Sequence, residues 1–288
     1  MHNKIILGTA QMGMDYGINN NNGKINLFET FEILNEANRQ NICLLDTAPV
    51  YGDIHQIIGE FHKKNKNKIF KIITKIPIGI NFANLEEVVK GYINDLAVNQ
   101  IEVLLFHSID TYLSSRNDSF YLKNLKNLGL VKYFGVSVYN NNEVEEIIND
   151  SLIDIVQIPF NLLDNINFRG DILMKIKNSG KIAHTRSVFL QGLFFKNNIN
   201  IDVELERNVQ IIKSIANNYN ISIELLALQY CIFQKNIDKV IIGVDSKFHL
   251  KKNIDATKNI LNKKIFEEID CLKIINKDLL NPTLWNKK

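Results

Sequence analysis

Cysteine is scarce: Cys43, Cys231 and Cys271 are the three in 288 residues, with no C-x-x-C spacing. That argues against a disulfide framework and for reduced thiols in a cytoplasmic setting. Cys43 and Cys231 lie in apolar runs and read as small core residues. Charge of one sign is also lacking. The 34 basic and 31 acidic side chains leave +3, too little to argue for nucleic acid or a membrane surface as a partner. No apolar run is long enough to span a bilayer, and no signal-like segment precedes the first strand candidate. A G-x-G-x-x-G turn is missing after that strand, which removes the usual mark of a doubly wound dinucleotide fold. No repeat of solenoid length is visible.

What is present is an alternation of strand and helix. Ile5 to Ala10 reads as a strand, and Gln11 to Gly23 as a loop rich in Gly and Asn. Phe28 to Arg39 carries an apolar stripe at helical spacing. β-branched and apolar runs then end at Asp46, Lys75, His107, Ser137, Gln157, Arg186 and Gly243. Between them lie helical stretches at Ile54 to Phe61, Leu85 to Leu96, Phe120 to Leu128, Asn142 to Ile148 and Ile172 to Lys177. Further helices are expected at Glu204 to Asn217, Ser222 to Gln234, Ser246 to Lys258 and Lys264 to Ile274. Eight strand-then-helix units without a linker predict one domain over residues 1–288, a single (β/α)8 TIM barrel.

The stretch Leu44-Leu45-Asp46-Thr47-Ala48-Pro49-Val50-Tyr51-Gly52 organises the rest. A buried strand stops at a carboxylate, and a tyrosine stands just beyond. In a parallel barrel, chemistry sits at that end of the strands. A phenol has a reference pKa of about 10 and is a poor acid near neutral pH. It needs a cation beside it, which a carboxylate can hold in place. The next strand ends at Lys75 and the one after it at His107. Taken singly, each of these four residues has an ordinary explanation as a cap, packing residue or solvated side chain. Ordinary placement does not require them at the ends of three consecutive strands.

With Asp46-Thr47-Ala48-Pro49-Val50-Tyr51-Gly52, Lys75 and His107 in this order, the chain resembles the aldo-keto reductase family. The resemblance implies a TIM barrel that reduces an aldehyde or ketone to an alcohol with NAD(P)H. It implies Tyr51 as general acid, Lys75 as the ammonium beside it, Asp46 as the residue holding Lys75, and His107 as orienting donor. It also implies a nicotinamide laid across the barrel mouth. Thr9, Asp46, Ser137 and Gln157 match positions near its reacting end. Arg186 matches the position beside the nicotinamide ring, and Ser187, Phe189 and Gln191 match the loop that meets the pyrophosphate. Gly243, Ser246, His249, Lys252 and Asn253 match the phosphate and adenine segment.

The departures from the family pattern are specific. Val138 replaces an Asn that bonds the carboxamide, and Arg186 replaces a tyrosine that stacks on the nicotinamide. Gly243 and His249 stand where many members carry Lys and Arg for a 2′-phosphate, and Lys247, Lys251 and Lys252 are candidates to replace that charge. The expected cofactor is NADP, with NAD as the alternative. His55 replaces a common Glu. The loop Arg186-Ser187-Val188-Phe189-Leu190-Gln191-Gly192 resembles a bacterial branch with an R-S-x-F-L-Q-G loop, linked to sugar and surface-polysaccharide pathways. The expected substrate is a small carbonyl compound, with a sugar or nucleotide-sugar carbonyl as the specific candidate. The mouth loops expected to select it are Met12 to Asn22, Ile109 to Ser119, Phe160 to Phe168 and the tail around Trp285. There Tyr16, Tyr139 and Trp285 are each read either as a stacking face for a sugar ring or as plain packing. Two other readings stand beside the reductase. One is a nicotinamide-binding sensor or subunit with slow turnover, and the other a sugar epimerase using a transient hydride.

Overall fold

Fully apolar strands need cover on both faces, and here a ring of helices and the strands' own interior supply it. The structure, a computed structural model, describes residues 4–20, 23–258 and 260–285. Its strands are β1 (Ile5–Gly8), β2 (Leu44–Asp46), β3 (Lys71–Ile76), β4 (Ile101–Phe106), β5 (Val131–Ser137), β6 (Ile155–Pro159), β7 (Ile182–Arg186) and β8 (Lys239–Ile242). They pair in sequence order, all parallel, and β8 returns to β1 to close the barrel. The expected (β/α)8 architecture is what the chain adopts.

The helices are α1 (Ala10–Gly13), α2 (Leu27–Arg39), α3 (Ile54–Lys64), α4 (Leu85–Leu96), α5 (Ile109–Ser114) and α6 (Ser119–Asn127). They continue as α7 (Asn141–Ile147), α8 (Ile166–Asn178), α9 (Val203–Asn218), α10 (Ile223–Ile232), α11 (Lys247–Ala256) and α12 (Lys263–Asp270). Side chains that accept a first-turn amide start many of them: Asn26, Ser108, Asn165, Asp202, Ser222, Ser246 and Asn262. Several boundaries differ from the sequence expectation. α8 begins six residues before Ile172, because Asn165 caps it there. α12 stops at Asp270, short of Ile274. Two short helices stand at the mouth where loop was expected: Ala10–Gly13, which takes in the expected end of the first strand and the start of the loop from Gln11, and Ile109–Ser114. Asn21 and Asn22, the end of the first mouth loop, lie outside the described residues, as do Met1 to Asn3.

Alternation along the strands divides the core in two. Ile6, Ile73, Val103, Leu105, Ile155 and Ile241 fill the barrel, with Leu44, Tyr133 and Ile182 packed against them. The opposite parity, including Leu7, Leu45, Ile72, Leu104, Phe134, Val156 and Val240, packs outward with the helices. Each such aliphatic side chain contributes about 1.5–3 kcal/mol when fully buried. The inward parity continues upward from the apolar layer to Asp46, Lys75, His107, Ser137, Gln157, Arg186 and Gly243. A period of two therefore carries the polar residues of the mouth on a closed hydrophobic floor.

One expectation is corrected, and for Trp285 the packing alternative is the one the structure shows. Cys43 is exposed, not core. It precedes the first residue of β2, where its Sγ reaches only the Asn41 carbonyl at 3.4 Å. Cys231 is buried as expected. Trp285 offers no stacking face, being 8% exposed. Its indole N–H donates to the Leu279 carbonyl at 2.9 Å, which lets the ring be buried in the tail.

Candidate active site

Asp46 is held from three sides. Its carbonyl accepts both the Thr9 amide and the Thr9 hydroxyl, each at 3.0 Å. Its Oδ1 accepts from Lys75 Nζ at 2.9 Å, and its Oδ2 from Gln157 Nε2 at 2.8 Å. Thr9 thus fixes Asp46, with both of its own donors committed. Lys75 also donates to the Thr47 carbonyl at 2.9 Å, and its Nζ lies 5.3 Å from the centroid of the Tyr51 ring. Burial works to lower the Lys75 pKa. The Asp46 carboxylate and Tyr51 outweigh it, so the pKa is raised and the group stays an ammonium.

Tyr51 is placed by backbone contact. It sits in the loop between β2 and α3, with its amide bonded to the Ala48 carbonyl at 3.1 Å. The backbone of α1 runs against this loop so closely that a Cβ on Gly13 would fall 1.8 Å from the Tyr51 carbonyl oxygen. Gly52 has φ +66, and a Cβ there would lie 2.5 Å from the Gly13 oxygen. Only glycines permit both the approach and the left-handed turn.

His107 follows β4. Burial, then the charges of Lys75 and Arg186, push its pKa down to about 4, so it is neutral at pH 7 and donates through one ring nitrogen only. Its Nδ1 is buried without a partner among the described residues. The Asn161 amide nitrogen, just past β6, is likewise buried and unpartnered.

A second histidine of the barrel interior escaped the sequence reading. His184 on β7 is 3% exposed, lies opposite Gln157 in the strand register, and has an unpartnered Nδ1. Burial lowers its pKa to about 4. The signal was available: His184 shares the parity of Arg186 on a strand covered on both faces.

Ser137 ends β5 in register with Gln157. Arg186 ends β7. Its guanidinium lies over the Tyr139 ring at 4.2 Å and donates to the Val138 carbonyl at 3.1 Å and to Ser187 Oγ at 3.3 Å. Beyond it the chain takes left-handed backbone at Ser187, Leu190, Gln191 and Gly192. Phe189 is half-buried there beside Phe195. The Gln191 carbonyl accepts the Ile18 amide at 3.0 Å, and its side chain bonds Tyr16, so the loops after β1 and β7 are tied together over the mouth.

The segment after β8 is more acidic than its lysines suggest. Gln11 crosses next to Gly243 and donates to the Asp245 carboxylate. Ser246 caps α11 by accepting the His249 amide at 3.2 Å, and His249 Nδ1 lies 3.6 Å from Asp245. The Lys247 amide is taken by Glu29 and its Nζ by Glu32, both at 2.7 Å. Lys252 pairs with Glu224 at 2.9 Å, and Asn253 is buried on the inner side of α11. His55, on α3, faces Thr74 at 3.0 Å behind the barrel wall.

The sequence and fold comparisons agree on what this is. The model of the aldo/keto reductase family matches residues 4–274. The chain belongs to the aldo/keto reductase family. It is accordingly an NAD(P)H-dependent oxidoreductase with a (β/α)8 barrel. Among solved structures, it is similar to the holo form of the aldo-keto reductase AKR11C1 from Bacillus halodurans, at TM-score 0.77 and 20% identity, over 94% of this chain and 92% of that one. It is also similar to the glycerol dehydrogenase AKR11B4 from Gluconobacter oxydans, at TM-score 0.70 and 19% identity, over 93% and 90%. No curated protein matches the reductase in sequence. Among the described residues, no helix is long and apolar enough to cross a membrane.

Proposed function

We propose that this reductase converts an aldehyde or ketone to an alcohol, with Tyr51 giving the proton to the carbonyl oxygen. The observation that carries the reading is the chain of contacts from Gln157 to Asp46 to Lys75, with the ammonium over the Tyr51 ring. When bound, the nicotinamide supplies the hydride to the carbonyl carbon. Tyr51 supplies the proton that completes the alcohol, and Lys75 stabilises negative charge as it develops on oxygen and phenol. Neutral His107 orients the carbonyl by donating one hydrogen bond. The orphaned Asn161 nitrogen and His107 Nδ1, with Ser137 and Gln157 beside them, suit a carboxamide and a carbonyl at this end.

The dinucleotide's other end bears on NADPH against NADH. The expectation of NADP rests on Lys247, Lys251 and Lys252. Two of them are paired to Glu32 and Glu224, and Glu29 and Asp245 add carboxylates at the same helix end. NADPH binding there draws on exposed Lys251 and on exchange of those partners, whereas the carboxylates favour NADH. We read the substrate as a small polar carbonyl compound, with a sugar carbonyl as the leading candidate because Tyr16 and Tyr139 flank the mouth. Three free thiols suit a reducing cytoplasm. We read the chain as one domain, because the described residues form a single closed barrel with its helices.

The test is cofactor oxidation, followed by absorbance, against a panel of aldehydes and keto-sugars, with cofactor affinities measured by fluorescence. The expected result is one alcohol formed per NAD(P)H consumed. Tight cofactor binding without consumption would support a sensor, and sugar inversion without net consumption an epimerase. Either result would remove the reductase reading.

A further inference from the structure

Among the described residues of the mouth, Lys75 and Arg169 each bond a carboxylate, whereas Arg186 bonds a carbonyl and a hydroxyl. Lys75 is matched by Asp46 at 2.9 Å. Arg169 is matched by Asp164 in a buried two-pronged pair, Nε to Oδ1 at 2.6 Å and Nη2 to Oδ2 at 2.8 Å. Arg169 also holds the mouth wall, donating to the Tyr139 carbonyl at 2.7 Å and to Asn141 Oδ1 at 2.6 Å. Glu143 is turned to the Tyr139 amide and the Asn140 side chain. His107 contributes no charge at pH 7. Arg186 is half-buried and, among the described residues, no carboxylate is bonded to it; its partners are a carbonyl, a hydroxyl and an aromatic face.

A guanidinium has five N–H donors, and two are used here. Tyr139 fixes its plane from one side. Withdrawing an unmatched charge from water is costly, unless an anion completes the site. The position of the group says where that anion belongs. Arg186 ends β7 on the same inward parity that carries Asp46, Lys75 and His107 at the ends of their strands, and it bonds the Val138 carbonyl just past β5, so its open donors belong to the barrel mouth. Its charge also reaches the Asp164 carboxylate, which Arg169 already holds.

We propose that Arg186 is the specificity-determining residue for an anionic carbonyl substrate, and that it binds a carboxylate or phosphate carried next to the reducible group. This rests on the reading of Tyr51 and Lys75 as the reducing site. Planar donors in a fork match the paired oxygens of either anion. The other possible source of the same chemistry is the cofactor's pyrophosphate, since Ser187 and the loop beyond follow directly.

The experiment compares substrate pairs that differ only in the anion: benzaldehyde with 4-carboxybenzaldehyde, and dihydroxyacetone with its phosphate. Steady-state kinetics are measured for the wild type, Arg186→Gln and Arg186→Lys, with dinucleotide Kd determined on each. The wild type is expected to prefer the anionic member of a pair by tenfold or more in kcat/KM. Arg186→Gln should cut that ratio at least tenfold, through KM, and Arg186→Lys should keep part of it. A ratio unchanged in Arg186→Gln overturns the proposal. So does a tenfold loss of dinucleotide affinity with the ratio intact, which would assign the anion to the cofactor. If the wild type reduces no member of the panel, the reductase reading fails separately. Calorimetric binding of 4-carboxybenzaldehyde against benzaldehyde to the cofactor-saturated protein then decides the anion site without turnover. Preferential binding lost in Arg186→Gln supports it, and equal binding overturns it.

Discussion

Single side chains in this reductase are committed by partners that accept one protonation state. His62 Nδ1 donates to the Leu96 carbonyl at 2.7 Å, while Nε2 accepts the Phe70 amide at 3.1 Å. Only neutral imidazole does both. Burial lowers the pKa of His62, and lowers those of His55 and His184 to about 4. In the unfolded chain the same groups titrate near 6.5. The unfolded state therefore takes up protons between pH 6.5 and 4 while the folded state does not. These histidines destabilise the fold increasingly as pH falls through that window, and have no such effect above it. For buried His55 and His184 the loss reaches roughly 3 kcal/mol each at the low end. Urea midpoints measured from pH 7.5 to 4.5 should fall steeply below 6.5, and less steeply in His55→Gln. Midpoints that stay level across the window would contradict this.

At the scale of elements, the site depends on how closely α1 and the β2–α3 loop approach. Gly13 and Gly52 let two backbones touch, and that contact sets where Tyr51 stands. Gly13→Ala should displace the loop, cost about 1–3 kcal/mol of stability from overpacking, and lower kcat by tenfold or more. Gly91, inside α4, makes a control, because a Cβ there meets nothing within 4 Å. Gly91→Ala should stabilise the protein by about 0.5–1 kcal/mol with kcat unchanged. Thermal melts and kinetics of the two variants check the contrast. Equal behaviour of the two would show that the close approach does not position the tyrosine.

For the whole molecule, barrel closure is what joins distant stretches. Gln157 reaches Asp46 across 111 residues of sequence, through the interior of a sheet that returns on itself. The strand ends were legible because polar residues interrupt apolar runs at one end of each strand. Asp46, Lys75, His107, Ser137, Gln157 and Arg186 all fall there. Their partners were less legible, because side-chain pairing across a barrel leaves no local period. Gln157 turned to Asp46, Arg186 laid on Tyr139, and Glu29 and Glu32 set against Lys247 are all contacts between separate units. Cys43 was misplaced for a related reason, since apolar neighbours in sequence do not say where a strand begins; the role of Trp285 stayed open in the sequence because they do not say where a tail docks either. The account as a whole stands on proton donation from one phenol beside one buried ammonium. The most direct test is the rate of a single hydride transfer from bound NAD(P)H to a reducible aldehyde, in the wild type and in Tyr51→Phe, with cofactor affinity measured on the same samples. A rate at least a hundredfold lower in Tyr51→Phe, with affinity within about twofold, is the predicted result. Equal rates of transfer in the two proteins would contradict the account.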